Sequence, residues 1–276
     1  MRDKHERLPQ VPQVPQVPQV PQVPQVPQVP QVPQVPQVPQ VPQVPQVPQV
    51  TQHQKLIHVE GSDKIVECET YIFHAPTTMS ISGTTGSGKT TLLFEILRYK
   101  DELFNIPPQK VMYCYGVWQE AFNDKEADIY FHKGIPSEES LREFIDSNHS
   151  IIILDDLMDE VVKNVEVQHL FTRGSHHRNL TIIYLNQNMF AQGKCARTIN
   201  LNTHYIILLR NPRDVSQVNT LAKQIGLGKS LPEAYDDCLS KPYGYLLVDL
   251  SPHTEKSYQL KTGIFPGEET TVYLPL

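Results

Sequence analysis

The stretch from Thr78 to Tyr99 constrains the fold of this chain more than any other. An apolar, β-rich run over Thr78–Ser82 leads into Gly83-Thr84-Thr85-Gly86-Ser87-Gly88-Lys89-Thr90, and Thr90–Tyr99 then places four Leu and Ile side chains on one helical face. A strand, a glycine-rich loop and a helix in this order are typical of a phosphate-binding loop, because glycines let backbone amides close around a phosphate beside a helix N-terminus. The stretch therefore predicts binding of a nucleoside triphosphate, ATP, with Mg²⁺, and its hydrolysis.

Each position of this loop has a predicted role. Lys89 is expected to reach the β- and γ-phosphates, and Thr90 to bind Mg²⁺ through its hydroxyl, with Thr91 beside it near the α-phosphate. The complete set of expected nucleotide contacts is Gly83, Thr84, Thr85, Gly86, Ser87, Gly88, Lys89, Thr90 and Thr91. The alternative, a chance glycine-rich turn, does not account for the complete pattern between a strand and a helix.

The rest of the chain alternates apolar runs with amphipathic stretches, which is typical of a parallel sheet covered by helices. The strand candidates are Thr78–Ser82, Lys110–Tyr115, Ser150–Leu154, Leu180–Leu185, His204–Leu209 and Tyr243–Leu250. Helices are predicted at Thr90–Tyr99, after an N-cap at Ser137, at Val161–Phe171 and at Val215–Ile225. The apolar runs at 151–154 and 206–209 belong in the middle of the sheet. The predicted fold class is α/β, a RecA-like P-loop NTPase with a mostly parallel central sheet flanked by helices.

Two aspartates end one of these strands, in Ile151-Ile152-Ile153-Leu154-Asp155-Asp156. A phosphate-binding loop needs a metal-orienting carboxylate at the end of another buried strand, and we assign Asp155 to Mg²⁺. Asp156 is expected to hold or deprotonate the attacking water. The alternative is that these acids only cap the helix that follows.

Polar residues also follow the next two strand candidates. Gln187, in Asn186-Gln187-Asn188, is expected at the ligand edge of the sheet, where it can sense the γ-phosphate or orient water; otherwise it only closes a strand. One of Arg210 and Arg213 is the predicted arginine finger, delivered from a neighbouring subunit. Arg173 and Arg178 are rivals for that role or for contact with DNA phosphate, and surface salt bridging is the alternative for each arginine.

The first fifty residues differ in composition from the rest. Val-Pro-Gln repeats without deviation from Val11 to Gln49, and proline at every third position excludes a helix or an interior strand. We interpret residues 1–50 as a disordered or polyproline-like extended tail, unless the repeat reflects replication slippage or a mistaken gene start, and residues 51–276 as one P-loop ATPase domain.

Composition limits the classes of function. The formal charge of −6 argues against a broad basic face that coats nucleic acid, although a ring of subunits can still line a narrow channel with basic side chains. The four cysteines are too scattered for a disulfide framework or a zinc site, so we expect reduced, buried thiols. No run is long and apolar enough for a membrane span and no secretion signal is visible, so the expected protein is soluble, intracellular and not secreted.

Two further patterns favour structural roles. His176 and His177 are adjacent, so their side chains point apart on an extended segment, and no nearby ligand completes a metal site. Tyr115 and Trp118 follow a strand and can stack on a base, but packing is the better interpretation.

Longer stretches of the sequence resemble a known family. They are His74-Ala75-Pro76, Ile153-Leu154-Asp155-Asp156-Leu157-Met158, Leu170–Asn179, Tyr184-Leu185-Asn186-Gln187-Asn188, Arg210-Asn211-Pro212-Arg213-Asp214 and Ser240-Lys241-Pro242-Tyr243-Gly244-Tyr245. The order of motifs resembles the FtsK/HerA superfamily of DNA-pumping ATPases. More closely, it is similar to the genome-packaging ATPases of Maverick/Polinton elements and adintoviruses, relatives of the poxvirus packaging ATPase, from about Tyr71 to Pro266.

The resemblance implies a homo-oligomeric, hexameric motor that threads double-stranded DNA into a preformed capsid at the expense of ATP. It implies capsid proteins as partners, no membrane, and a location in the virion, the virus factory or the nucleus. The Val-Pro-Gln tract has no counterpart in the family pattern, and Asp156 stands where many relatives of the superfamily carry glutamate. A P-loop kinase, another P-loop NTPase not acting on DNA, and a decayed relic or assembly adaptor remain alternatives; a GTPase and an ABC-type ATPase lack their motifs here.

Overall fold

The computed structural model describes residues 56–58, 64–67, 71–122, 128–146, 148–174 and 178–275. The predicted tail, the histidine doublet and the side chain of Arg173 lie outside the described part. Gln52–Leu276 groups into one compact unit. Its strands are β1 Leu56–His58, β2 Lys64–Glu67, β3 Thr78–Ser82, β4 Lys110–Tyr115, β5 Ile129–Lys133, β6 Ser150–Asp155, β7 Leu180–Asn186, β8 Tyr205–Leu208, β9 Leu246–Asp249, β10 Leu260–Thr262 and β11 Thr270–Tyr273. Its α-helices are α1 Lys89–Arg98, α2 Lys100–Leu103, α3 Glu138–Phe144, α4 Met158–Val161, α5 Val165–His169, α6 Ala196–Leu201, α7 Ser216–Ile225 and α8 Ser230–Leu239.

One sheet of 11 strands runs through this unit in the order β1-β2-β11-β10-β9-β8-β3-β7-β6-β4-β5. Neighbours from β8 to β5 are parallel, and those from β8 to β1 are antiparallel. The predicted α/β class with a parallel central sheet flanked by helices is confirmed. Within the antiparallel extension, β9 lies in the predicted strand Tyr243–Leu250. The sequence did not indicate β1, β2, β10 or β11, which are only three or four residues long.

Two side-chain caps decide where helices begin on this framework. Ser137 is the N-cap of α3 as predicted, because its Oγ accepts a hydrogen bond from the Ser140 N–H at 3.1 Å. The single helix predicted at Val161–Phe171 is wrong. Asn164 interrupts it with extended backbone, and its Oδ1 accepts the N–H groups of Glu166 and Val167 to start α5. A π-helical turn, Leu170–Gly174, then follows.

Successive side chains of β6 point to opposite faces of the sheet and contribute to a hydrophobic core on each face. Ile151 and Ile153 pack in the cluster that contains Leu93 of α1, whereas Ile152 and Leu154 pack with side chains of α4 and α5. All four are fully buried, and burial of such a side chain contributes roughly 1.5–3 kcal/mol. The central position predicted for this run is confirmed, and it holds the carboxyl ends of β3, β6 and β7 at one edge.

Other side chains behave as packing elements. The Trp118 ring lies 5.2 Å from Tyr115, 5.3 Å from Phe122 and 5.3 Å from Phe131, centroid to centroid, which agrees with the packing interpretation. Within the described residues, the cysteines at 114, 195 and 238 are buried and form no disulfide. In that same part of the chain, no helix is long and apolar enough to cross a membrane.

Candidate nucleotide-binding site

The loop between β3 and α1 has the backbone of an anion cradle. Gly86 and Gly88 have φ of 75° and 97°, in the left-handed region that side chains with a Cβ rarely adopt. Gly83 is needed for a different reason, because a Cβ there would lie 2.5 Å from the Ser87 Oγ. No side chain caps α1, so its first N–H groups face the loop without a side-chain partner. The Ser87 Oγ is buried and likewise has no partner among the described residues. These donors fit a phosphate group.

Lys89 turns back on the loop. Its Nζ donates to the carbonyl oxygen of Gly83 at 2.8 Å and to that of Thr84 at 2.9 Å. Burial lowers the pKa of the ammonium from its ordinary value, while the charges of Asp155 and Asp156 act in the opposite direction. The loop lysine and the two predicted aspartates are therefore close enough to interact.

Asp155 ends β6 and is 6% exposed. Its Oδ2 accepts a hydrogen bond of 2.6 Å from the hydroxyl of Tyr113, a fully buried residue on the neighbouring strand β4. Burial raises the pKa of Asp155 above its ordinary value and the charge of Asp156 adds to this, whereas Tyr113 and Lys89 lower it. Burial likewise raises the pKa of the Tyr113 hydroxyl, so that group remains a donor. The result is an oriented carboxylate facing the loop, as a metal ligand requires.

Asp156 leaves the sheet through a tight turn. Its φ is 55°, an unusual value that Asp tolerates better than most residues, and its side chain is exposed. Gly116, after β4, makes room for this turn, since a Cβ there would lie 2.3 Å from the backbone oxygen of Asp156. The Gly116 N–H also donates to the Asp155 carbonyl at 3.1 Å. The second carboxylate is thus exposed to solvent directly after the end of β6.

Strand β7 lies between the loop strand β3 and the acidic strand β6. At its end, the carbonyl of Asn186 accepts the N–H of Gly83 at 3.2 Å, and its side-chain Nδ2 donates to the Ser80 Oγ at 2.7 Å. Asn186 is buried, so the amide before Gln187 anchors β7 to the loop strand. Gln187 itself is exposed at the same edge.

A cleft of about 700 Å³ opens beside the loop. Its lining includes Thr84 and Thr85 from the loop, Gln187 after β7, and Asn211 and Arg213 after β8. The structure thus brings the predicted γ-phosphate sensor, one predicted arginine and the loop threonines around one space. Because the carboxyl ends of parallel strands meet at one edge, this is where an α/β sheet binds ligands.

The other predicted arginines are placed differently. Arg210 holds the loop with its backbone, since its carbonyl accepts the Thr84 N–H at 3.4 Å and the Thr84 Oγ1 at 3.2 Å, and its side chain is exposed. Arg178 precedes β7, so it lies at the opposite end of that strand from Gln187, where it pairs with Glu138 at 3.8 Å. Arg178 is therefore not part of the cleft of its own chain.

Sequence reasoning missed Gln217, a buried residue in the first turn of α7. Its Oε1 accepts the backbone N–H of Met189 at 2.9 Å, and its Nε2 donates to the Asp214 Oδ2 at 2.8 Å. It therefore fixes the loop that carries Gln187 against the loop that carries Arg213. The supporting roles of Tyr113, Gly116 and Asn186 were also missed, although the loop, the two aspartates and Gln187 had indicated that this edge of the sheet was functional.

The residues present fit Mg²⁺ bound together with a nucleotide. Within the described part of the chain, no group of three or more His, Cys, Asp or Glu residues forms a metal site of its own. Mg²⁺ on a nucleotide does not need one, because it takes one or two protein oxygens and keeps phosphate oxygens and water for the rest. The Thr90 hydroxyl at the start of α1 and the Asp155 carboxylate are suitable donors.

No family model and no curated protein matches this sequence. Solved structures similar to the chain include the genome packaging NTPase B204 from Sulfolobus turreted icosahedral virus 2. Its complex with ATP-gammaS has a TM-score of 0.43 and 16% identity over 68% of this chain and 96% of that chain. Its complex with sulfate has a TM-score of 0.44 and 15% identity over 70% and 98%, and its complex with AMP 0.41 and 15% over 65% and 96%. At these values, the likeness assigns neither a family nor a function to the chain.

Proposed function

We propose that this protein is an ATPase that moves double-stranded DNA, the motor of a viral-type genome-packaging apparatus. The observation that carries the proposal is geometric: a glycine-rich loop that opens a helix lies at the same sheet edge as Asp155, a buried carboxylate held by Tyr113. Strand β7, which Gln187 directly follows, lies between the strands that carry these two parts of the site. Such a constellation suits phosphoryl transfer from ATP to water, because it combines charge neutralisation with groups that position a nucleophile.

The proposal gives each residue of the site a role. The loop amides and Lys89 hold the β- and γ-phosphates, and Thr90 with Asp155 binds the metal ion. Mg²⁺, when bound, neutralises charge on the phosphate oxygens. Asp156, exposed beside the buried Asp155, accepts a proton from the attacking water or holds that water in line. Gln187 lines the cleft next to the loop threonines and orients the same water.

The arginines point to an assembly. Arg210 and Arg213 have exposed side chains on a loop at the cleft, where an arginine finger is needed to stabilise charge on the γ-phosphoryl oxygens. We propose that one of them acts on the site of a neighbouring subunit in a hexameric ring. DNA in the channel, capsid proteins as partners and kinship with the Maverick/Polinton and adintovirus packaging ATPases rest on the sequence resemblance.

The central test is phosphate release from ATP by the full chain, with and without duplex DNA and with no other phosphoryl acceptor. We expect DNA to stimulate release and Lys89→Ala to abolish it, while Arg142→Ala, an exposed arginine of α3 that pairs with Glu138, serves as the control for loss of a basic side chain. Turnover that requires a small acceptor would instead identify a kinase. Hydrolysis by Lys89→Ala equal to that of the parent would overturn the assignment of the site.

The subunit arrangement has its own test. Neither Lys89→Ala nor the double variant Arg210→Ala, Arg213→Ala is expected to be active alone. A mixture should recover activity, because an intact loop from one protein meets an intact arginine from the other. If no mixture exceeds the sum of its two components, the arginine acts within its own chain.

A further inference from the structure

Tyr243 is an exposed aromatic residue on a strained turn. It lies between α8 and β9, its φ is 58°, and its side chain is 90% exposed. A bulky residue at positive φ is a genuine outlier, and such strain persists only where the surrounding structure imposes it. Neither the phosphate loop nor the cleft described above includes this residue.

Contacts on both sides of Tyr243 hold it in this strained backbone conformation. The Gly244 N–H donates to the Lys241 carbonyl at 3.2 Å, which closes the turn. A Cβ at Gly244 would lie 2.0 Å from the carbonyl oxygen of Cys238, so the turn is packed directly against the end of α8. On the other side, Tyr245 is buried, and its hydroxyl accepts the Ile264 N–H at 2.8 Å. Anchors on both sides hold the Tyr243 ring outward on a rigid support.

The sheet register places this turn beside the phosphate loop. Ser82 pairs with Leu208, and Leu208 pairs with Leu246. Because β9 is antiparallel to β8, the residues before Leu246 leave the sheet at the edge where the loop after Ser82 leaves it. Strands β9 and β3 are two strand spacings apart, about 10 Å.

The direction of a bound nucleotide follows from the same sheet. The groups proposed to act at the γ-phosphate lie on one side of β3: Asp155 ends β6, and Gln187 directly follows β7. Strands β8 and β9 lie on the other side of β3, so the end of the nucleotide away from the γ-phosphate lies toward them. We propose that Tyr243 stacks on the nucleobase of the nucleotide bound at the phosphate loop, an inference that rests on the proposed nucleotide binding.

The charges near the turn suit a base better than a nucleic-acid backbone. Asp236 and Asp237 are exposed in the last turn of α8, against one lysine, Lys241, in the turn itself. Carboxylates repel a phosphate backbone, whereas the neutral face of a base stacks on tyrosine whatever its identity. Stacking of this kind predicts little discrimination between ATP and GTP.

The test measures binding of Mg·ATPγS and of Mg·tripolyphosphate to the full chain. Tyr243→Gly removes the ring and relaxes the positive φ, so stability is expected to stay the same or to rise. Affinity for ATPγS is expected to fall by about 5- to 150-fold, the range of one base–aromatic stack. Affinity for tripolyphosphate is expected to stay the same, and Tyr243→Phe is expected to behave like the parent.

Tyr130→Ala is the matched control. Tyr130 is also an exposed tyrosine, but it lies on β5, the edge strand of the sheet on the side away from β9. A spectroscopic test uses the single tryptophan of the chain: in Trp118→Phe, Tyr243→Trp, the new indole should be quenched by ATPγS but not by tripolyphosphate.

The proposal is overturned if Tyr243→Gly binds ATPγS as tightly as the parent does, or if it loses tripolyphosphate equally. It is also overturned if the variant changes only the size of the oligomer or the affinity for duplex DNA, since the ring would then contact a neighbouring subunit or DNA. A parent chain that binds tripolyphosphate but gains nothing from the base refutes the stacking and leaves the phosphate site intact. A parent chain that binds neither ligand refutes the proposed function itself.

Discussion

Replacement of Tyr113 by phenylalanine isolates the hydrogen bond that holds the predicted metal ligand. The ring stays, so no cavity forms, and only the 2.6 Å bond to the Asp155 Oδ2 is lost. A hydrogen bond to a buried charged group contributes about 1.5–3 kcal/mol. For a domain of this size each kcal/mol corresponds to roughly 2–4 °C in Tm, so Tyr113→Phe should lower Tm by about 3–12 °C at neutral pH.

The stability lost on replacing Tyr113 by phenylalanine should depend on pH. Burial already raises the pKa of Asp155, and removing the Tyr113 donor raises it further. A carboxyl group whose folded pKa is raised favours folding while it is protonated. That stability is fully present below the unfolded pKa, near ~3.9, and is lost as pH rises through the folded pKa. The difference between parent and Tyr113→Phe should therefore be small in acid and reach its full size above the folded pKa of the variant.

Urea unfolding at about pH 4 and pH 8 measures this difference. The matched control is Tyr184→Phe on β7, which neighbours β6 on the side opposite β4. The Tyr184 hydroxyl is buried and has no hydrogen-bond partner among the described residues. Its loss should be neutral or slightly stabilising at both pH values. If Tyr113→Phe is no less stable than Tyr184→Phe at pH 8, or if its deficit is the same at both pH values, the bond does not hold an ionised Asp155.

Three other changes probe the site. Gln217→Leu leaves the buried Met189 N–H without an acceptor and removes the donor to Asp214, so we expect about 1–3 kcal/mol less unfolding free energy in urea and a lower kcat for ATP, and an unchanged kcat would contradict its role between the two loops. Gly83→Ala places a Cβ 2.5 Å from the Ser87 Oγ, and calorimetry should show weaker binding of Mg·ATPγS; parental affinity would mean that the loop adapts. Gly116→Ala places a Cβ 2.3 Å from the Asp156 backbone oxygen, so kcat should fall more than nucleotide affinity, and equal losses would argue against a role for Asp156 in hydrolysis.

Local patterns made half of this site predictable. The run from Thr78 to Lys89 specifies its strand, loop and helix start within a few residues, and the structure places β3 and α1 there. Asp155 was predictable because a buried apolar strand ending in an acid is a local pattern as well. The break at Asn164 was also encoded locally, since Asn is a favoured N-cap, but the apolar periodicity on either side masked it.

The remaining parts depend on contacts between distant segments. In the sequence, nothing distinguishes Tyr113 from the other apolar residues of its strand. Only the pairing of β4 with β6 brings its hydroxyl to Asp155. In the sequence, Gln217 is an ordinary polar residue of a helix. Its role becomes visible only when α7 packs against the loop that contains Met189, whose N–H it accepts. Neither pairing leaves a mark in a short window of sequence, because the partners are far apart in the chain.

The contacts of Lys89 also bear on the pace of a catalytic cycle. Its ammonium is already satisfied by the carbonyls of Gly83 and Thr84, so an incoming triphosphate competes with the loop's own oxygens for the same charge. If the chain hydrolyses ATP as proposed, loss of the γ-phosphoryl group should let the two carbonyls recapture the lysine. We therefore expect them to weaken retention of the diphosphate, because they compete with it for the same ammonium group.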